Sequence, residues 1–576
     1  MIQGPFESSE FKKLASTTRL RGYETRSATP SDLVLASYDA PDAYFEGLHE
    51  YFKSMGYHSQ TVIQERYALY WDLIEAKCGH TSPALSVYQE DLNWQSFSYD
   101  AIHLRVNQLA IRWADAGVGQ GSTVTLLVPM GYQFLLGLLT GLKLGATVGW
   151  VSPDGPTYID HRLKRLGSEF IAANHRHYPD LEGTPLDFDR VGSEQVKSVP
   201  PTVQYEAEAV ALRLLSPLSQ ERDTLIELSA AQLYHRVLND LIVVLELNAA
   251  DRVTMPGLDP SQFQPWGLLT TLLAGGTYLH VDAKTLRETP NAWTDYRPTV
   301  LGLNDSTRKQ FKEHFGSISD SLRLWFRDIS ETLDWQAWDD FQTSFETQRP
   351  WGINLLVNAA FGGTLFFSPR ADRVPPIDVT AAPGLPWTLL DQSGPGETRR
   401  RSTGLYAAPD SDITEDHHGR LLLSQPKPAE LYFIGTIDGV SGARTYPIKE
   451  VKEVVCTLPS VSECLVLQLD RLMDVSDVPV NLLIFLNRAL RPHYTPKELT
   501  SLKAKIRQVI EFELGASFVP SQITLSHAYP ESSDGALDES WAQSQFYRGF
   551  LELKEEMPIF STLSALRTLI DESSDV

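Results

Sequence analysis

The sequence predicts an α/β protein: a large N-terminal domain of mixed and parallel sheets packed by helices, then a small α+β domain. Three observations carry this. Apolar strands alternate with segments of helical period between residues 97 and 153. The alternation returns over residues 233–281, and beyond residue 435 the pattern shortens to helix, strand, strand, helix.

The elements follow in order. Ile102, Val106, Leu109 and Trp113 recur at helical spacing and predict a helix over Tyr99–Ala116, with Ser98 as N-cap and Gly117 as the stop. Val124–Val128 reads as a strand, Phe134–Leu142 as an apolar helix and Ala146–Val151 as a second strand, which together form a parallel βαβ unit. A further helix is read near Leu233–Leu247. Another falls within Leu268–Val281, where Gly275-Gly276 precede a strand at Thr277–Val281. Polar, Pro/Gly-bearing stretches at Pro179–Glu206 and Gln392–Glu415 are loops or linkers. The small domain reads as helix Ile448–Thr457, strands Glu463–Leu469 and Val480–Asn487, and a helix opened by the capping box Thr495-Pro496-Lys497-Glu498. Leu499, Leu502, Ile506 and Val509 are its expected buried face. The domains are therefore an N-terminal extension over 1–60, a large domain over 61–434, a small domain over 435–550 and a helical acidic tail over 551–576.

Bulk properties narrow the function. A chain of 576 residues is too long for a single compact core, and 42% hydrophobic with 21% charged residues is a globular composition. Its net charge of -23 repels phosphate backbones and anionic lipid, which argues against a nucleic-acid partner. Met1–Thr17 lacks the apolar core of a secretory signal. The apolar region Thr123–Val151 is broken by Pro129, Lys143 and glycines, so no membrane span is expected. Three cysteines, Cys78, Cys456 and Cys464, are too few for a disulfide framework and fit a reducing cytoplasm.

Several landmarks then appear in a fixed order. Phe97-Ser98-Tyr99 through Pro153 contains Gly117-Val118, Leu126-Leu127-Val128-Pro129 and Leu142-Lys143-Leu144-Gly145-Ala146. Leu431-Tyr432-Phe433-Ile434-Gly435 follows much later, then Gly442–Pro447 and the run Glu450–Val461 ending Leu458-Pro459-Ser460-Val461. In this order they resemble the ANL superfamily of acyl-CoA synthetases, peptide-synthetase adenylation domains and luciferases, over roughly residues 60–550.

The resemblance implies an ATP-using site, and the residues that serve ATP are the ones that differ. The family's SSGTTGxPK loop wraps the triphosphate with backbone N–H groups that only glycine lets approach closely. Here that stretch is Ser216 to Thr224, with Leu218 and Glu221 at the glycines and Thr224 at the lysine. The motif YGxTE, whose glutamate ligates magnesium, reads Phe361-Gly362-Gly363-Thr364-Leu365, and leucine cannot ligate a metal. Asp328-Ile329-Ser330 stands at the turn against which adenine slides. Gln425 replaces the ribose-gripping aspartate, Thr436 the arginine beyond the hinge strand, and Asp438 is the implied hinge. The lysine that stabilises charge during adenylation is Ala536, within Pro530–Glu539, and the arginine is Glu539. The acyl pocket implied by the family falls on Phe263, Gln264, Trp266, Gly267, Leu303 and Asn304, with Gln264 at the position of a pocket histidine. Loss of one such electrostatic contact costs about 10²–10³-fold in rate. The expectation is therefore no cofactor, with ATP and magnesium not binding productively.

Other polar residues supply no replacement constellation and no metal site. His175, His177, His417 and His418 read as solvated turns, and Cys456 and Cys464 as buried structural thiols. Arg399-Arg400-Arg401 reads as a solvated run, while Arg222, Arg327 and Asp328 are candidates for an ion-pair plug in the vacant nucleotide site. Leu563, Leu566 and Ile570 give Pro558–Val576 a helical apolar stripe, expected to dock on the body. The resemblance leaves three roles open. The first is ATP-independent binding or transfer of an acyl group already held as a thioester on CoA or a carrier protein, in a specialised-metabolite or lipid pathway. The second is a non-catalytic scaffold for a partner enzyme. The third is an acyl ligase with unusual nucleotide contacts.

Overall fold

A computed structural model of the chain describes residues 2–3, 12–14, 37–88, 93–173, 183–188, 198–215, 225–258, 260–281, 283–289, 292, 297–313, 321–329, 335–345, 349–376, 378–384, 388–390, 403–407, 421–427, 430–436, 448–468, 480–487, 494–526 and 542. The chain divides into two compact units, Met1–Ser152 with Leu163–Thr445, and Pro153–Arg162 with Tyr446–Val576.

The larger unit is α/β, as expected. Its widest sheet runs, from one edge, through Ile2–Gln3, Arg370–Ala371, Trp351–Asn358, Leu324–Asp328, Val300–Gly302, Arg252–Thr254, Thr277–His280, Pro83–Tyr88 and Trp94–Ser98. The strands from Trp351–Asn358 to Pro83–Tyr88 are all parallel, so their C-terminal ends lie along one edge. Most of their residues are buried, as in a sheet covered on both faces. Gly363–Phe367 pairs antiparallel with Trp351–Asn358. A second sheet holds the expected βαβ unit: Thr123–Leu127 and Thr147–Val151 pair in parallel, joined by helix Tyr132–Leu144.

That helix is buried almost throughout, which explains its lack of a polar face. Lys143 is tolerated inside it because its ammonium reaches Glu75 at 3.2 Å and Thr202 at 2.8 Å and lies 4.9 Å from the Tyr70 ring centre. Gly145 stops the helix in the left-handed conformation at φ 78°, and a Cβ there would meet Val203 at 2.6 Å. Among the described residues no helix is long and apolar enough to cross a membrane.

Upstream, Ser98 caps helix Tyr99–Asp115 by accepting the Ala101 N–H, as expected. Helix Pro41–Ser54 packs on helix Ala230–Asn239: the Tyr44 hydroxyl donates to Asn239 Oδ1 at 2.9 Å, and Phe45 stacks on His235. The helix read near Leu233–Leu247 ends at Asn239 and continues as a π-turn over Asp240–Val244.

In the smaller unit, strands Val461–Gln468, Val480–Leu486 and Gln522–Ser526 form a sheet beside helices Ile448–Cys456 and Pro496–Glu513. The Thr495/Glu498 capping box is present. The buried stripe of the long helix is Leu502, Ile506 and Ile510, whereas Leu499 and Val509 are only half-buried. Within this unit the Arg162 guanidinium meets Glu450 at 3.1 Å.

Candidate functional site

In an open α/β sheet, ligands bind outside the carboxyl ends of the parallel strands. The larger unit places most of the implied site residues there. Leu303 and Asn304 follow strand Val300–Gly302, Asp328 ends strand Leu324–Asp328, and Phe361–Leu365 follows strand Trp351–Asn358. Phe263–Gly267 joins the same edge: Gln262 Nε2 donates to the Val357 carbonyl at 2.7 Å, and Trp266 meets Phe326 edge to face. Leu215 and Leu225, which bracket residues 216–224, are paired across an antiparallel hairpin. A Cβ on Gly362 would stand 3.1 Å from Leu228 of that hairpin, so its far strand abuts the turn before Thr364. Ser216, Leu218, Glu221, Arg222, Thr224, Asp438, Ala536 and Glu539 lie outside the described residues, as do His175, His177, His417, His418, Arg399–Arg401 and Pro558–Val576. Gln425 and Thr436 are placed only as backbone, in the antiparallel strands Leu421–Lys427 and Glu430–Thr436.

The Phe361–Leu365 turn is held from below by a residue that the sequence did not single out. Asp240 is fully buried in the π-turn, and its Oδ2 accepts both the Thr364 backbone N–H at 2.7 Å and the Trp266 indole N–H. Burial pushes its carboxyl up to about 6, although the Thr364 and Trp266 donors and the Arg236 charge oppose the shift. Arg236 is itself tied to the carbonyls of Pro383 and Gly384, at 3.1 and 2.6 Å. Gly363 is required here, because a Cβ would stand 2.8 Å from Asp240 Oδ2. The signal available in the sequence was an Asn-Asp pair inside the apolar run Val237–Val244.

Leu365 sits in strand Gly363–Phe367, whose residues are all buried, and is 1% exposed. Its side chain belongs to the main hydrophobic core. Phe361 is 4% exposed and Thr364 fully buried. Asp328 and Ile329 are buried too, so two side chains stand where the resemblance implies a bare turn. Of the three residues expected to form an ion-pair plug, only Arg327 and Asp328 lie among the described residues. Arg327 and Asp328 are consecutive in a strand and leave opposite faces of the sheet. Arg327 goes to the Trp325 face, where its Nε donates to Asn354 Oδ1 at 2.9 Å and its guanidinium lies over Trp338.

The acyl-pocket candidates are packed together. Phe263, Trp266 and Leu303 are at most 3% exposed, and Phe263 meets Trp266 edge to face. Met255 fills the space between Gly267 and Gly302: a Cβ would meet it at 2.3 Å on the first and 2.7 Å on the second. Gln264 Nε2 donates to the Tyr278 hydroxyl at 2.6 Å, and its Oε1 accepts the Leu268 N–H. Asn304 caps helix Asp305–Glu313, accepting the Thr307 N–H at 2.8 Å while donating to the Gly257 carbonyl at 2.6 Å. Both amide groups are thus committed to the fold.

No family model matches the chain. It is 24% identical over 261 residues to malpibaldin synthetase of Mortierella alpina, and 34% identical over 106 residues to a dimodular nonribosomal peptide synthase of Bacillus subtilis. These matches cover 43% and 18% of this chain, and it spans only 4% of the length of either relative. Solved structures match more widely. An acetoacetyl-CoA synthetase from Streptomyces lividans superposes with a TM-score of 0.63 at 14% identity, covering 95% of each chain. An artificially fused adenylation–carrier didomain from Klebsiella oxytoca gives 0.61 at 12% identity, over 81% of this chain and 94% of that one. These neighbours correct the expectation of no cofactor. CoA synthetases of this fold depend on ATP and magnesium, and the strand edge described above is where an open α/β sheet takes its ligand, so an assignment of none does not stand. The chain thus shares its fold with acyl-CoA synthetases and the adenylation domains of peptide synthetases.

Proposed function

We propose that this chain has lost the adenylation step and serves acyl-thioester metabolism as a non-catalytic scaffold, engaging an acyl carrier or the enzyme that loads it. The observation that carries the reading is Leu365. At the position where the resemblance puts a magnesium-binding carboxylate, the chain has a leucine that is 1% exposed and built into the core. The proposal concerns chemistry and not occupancy: a nucleotide seated on the fold would still lack that carboxylate and, at Ala536, the implied lysine.

Transfer of an acyl group that arrives already activated is the other role for an adenylation-deficient member. It requires room for the acyl chain, and the packing of Met255, Phe263, Trp266 and Leu303 favours the scaffold. The carrier or CoA thioester as partner is supported by the neighbours, a CoA synthetase and an adenylation–carrier didomain.

Incubation with acyl-CoA and acyl-carrier thioesters, followed by mass spectrometry, separates the two roles when run beside affinity capture of a purified carrier and its loading enzyme. The scaffold reading expects a stoichiometric complex without acyl transfer. Catalytic turnover of the thioester overturns it in favour of the transferase.

A further inference from the structure

We propose that Cys456, Glu463 and Cys464 form a binding site for a thiophilic divalent cation of the zinc class. The three residues lie in the smaller unit, and the inference does not depend on the adenylation reading. Helix Ile448–Cys456 ends on Cys456, while Glu463 and Cys464 belong to strand Val461–Gln468. Neighbours in a strand normally face opposite ways. Here the pairing with Val480–Leu486 shifts register between Val461 and Glu463, and an irregularity of this kind re-aims a side chain. Glu463 Oε1 accordingly turns back to accept the Cys464 N–H at 3.1 Å and lies 3.8 Å from Cys456 Sγ.

The two sulfurs and the carboxylate oxygen all lie within 4.8 Å of one another. Zinc takes thiolate at about 2.3 Å and carboxylate oxygen at about 2.0–2.2 Å, so tetrahedral neighbours stand roughly 3.5–3.8 Å apart. The cluster needs at most about an ångström of closure. Two sulfurs select a soft or borderline ion over magnesium or calcium, and a carboxylate is an accepted third zinc ligand. Cys464 is buried and anchors the site, whereas Cys456 is exposed and provides the entry path, contrary to the expectation that both thiols are buried. A single ion then binds two thiolates and one carboxylate, with water completing the tetrahedron. Two thiol protons pass to solvent on binding.

The test uses the full chain, reduced and stripped of metal, titrated with Co²⁺ as the spectroscopic probe and then with Zn²⁺. Thiolate-to-cobalt charge transfer and tetrahedral ligand-field bands should saturate at one equivalent and disappear on adding Zn²⁺. Cys456→Ser, at an exposed position, should leave the melting temperature of the metal-free protein unchanged and weaken Zn²⁺ binding roughly 100-fold. Glu463→Gln should weaken it about tenfold, and Cys78→Ser not at all. Saturation behaviour that persists unchanged in Cys456→Ser overturns the proposal. So does a reduced protein that takes up no cobalt but forms a Cys456–Cys464 disulfide under peroxide, which would make the pair a redox device.

Discussion

Restoring the glutamate that the fold's magnesium site would use is expected to damage this protein. Leu365 is 1% exposed in a strand with no exposed neighbour, and its backbone carbonyl accepts the Ala382 N–H. Leu365→Glu removes a buried aliphatic side chain, at a cost of about 1.5–3 kcal/mol. It also buries a carboxyl whose pKa burial raises by several units. Protonation limits that second cost to about 1.36 kcal/mol for each pH unit above 4.3, or roughly 4 kcal/mol at pH 7. The variant should lose about 5–7 kcal/mol at pH 7 and regain more than half of the electrostatic part at pH 5. The sign is fixed: a raised carboxyl pKa penalises the folded state more as pH rises. Urea denaturation of the wild type, Leu365→Glu and the volume control Leu365→Met measures this, and the control should cost less than about 1.5 kcal/mol. A Leu365→Glu protein within about 1 kcal/mol of wild type at pH 7, or one stabilised by magnesium, would show an open cation site and refute the reasoning.

Asp240 makes a related prediction with its native residue. Its folded pKa of about 6 lies above the ordinary 3.8, so its contribution to stability is greatest below about pH 4 and is lost as pH rises through 6. Asp240→Asn should flatten the stability difference between pH 5 and pH 7, which urea melts at the two pH values would read. Gly267→Ala sets a Cβ against Met255 at 2.3 Å and should cost about 1–3 kcal/mol by thermal unfolding. An unchanged melting temperature there would mean that the packed pocket yields, and would favour the transferase reading.

The scaffold was legible where local chemistry and tertiary position agree. The βαβ unit, the Ser98 cap and the Thr495/Glu498 box are signalled by residues adjacent in sequence. The site was legible only as a set of positions. That Leu365 and Thr364 sit on a buried strand depends on Asp240, more than a hundred residues away, which draws on the Thr364 N–H and the Trp266 indole together. Asn304 resembled a pocket residue but caps the next helix, a role visible only once the helix start is fixed. Cys456 ends an amphipathic helix whose neighbouring Val454 and Val455 are buried, and it falls on the exposed face. Glu463 escaped notice because a register shift inside a strand leaves no mark on period-two alternation.

On the proposed function, the chain does not form an acyl adenylate. Isotope exchange between pyrophosphate and ATP, run with magnesium and a panel of aliphatic, aromatic and amino acids, tests it most directly, because adenylate formation is reversible and needs no acceptor. Exchange at the no-enzyme background is expected for every acid. Acid-dependent exchange that scales with protein concentration and disappears on removal of magnesium would contradict it.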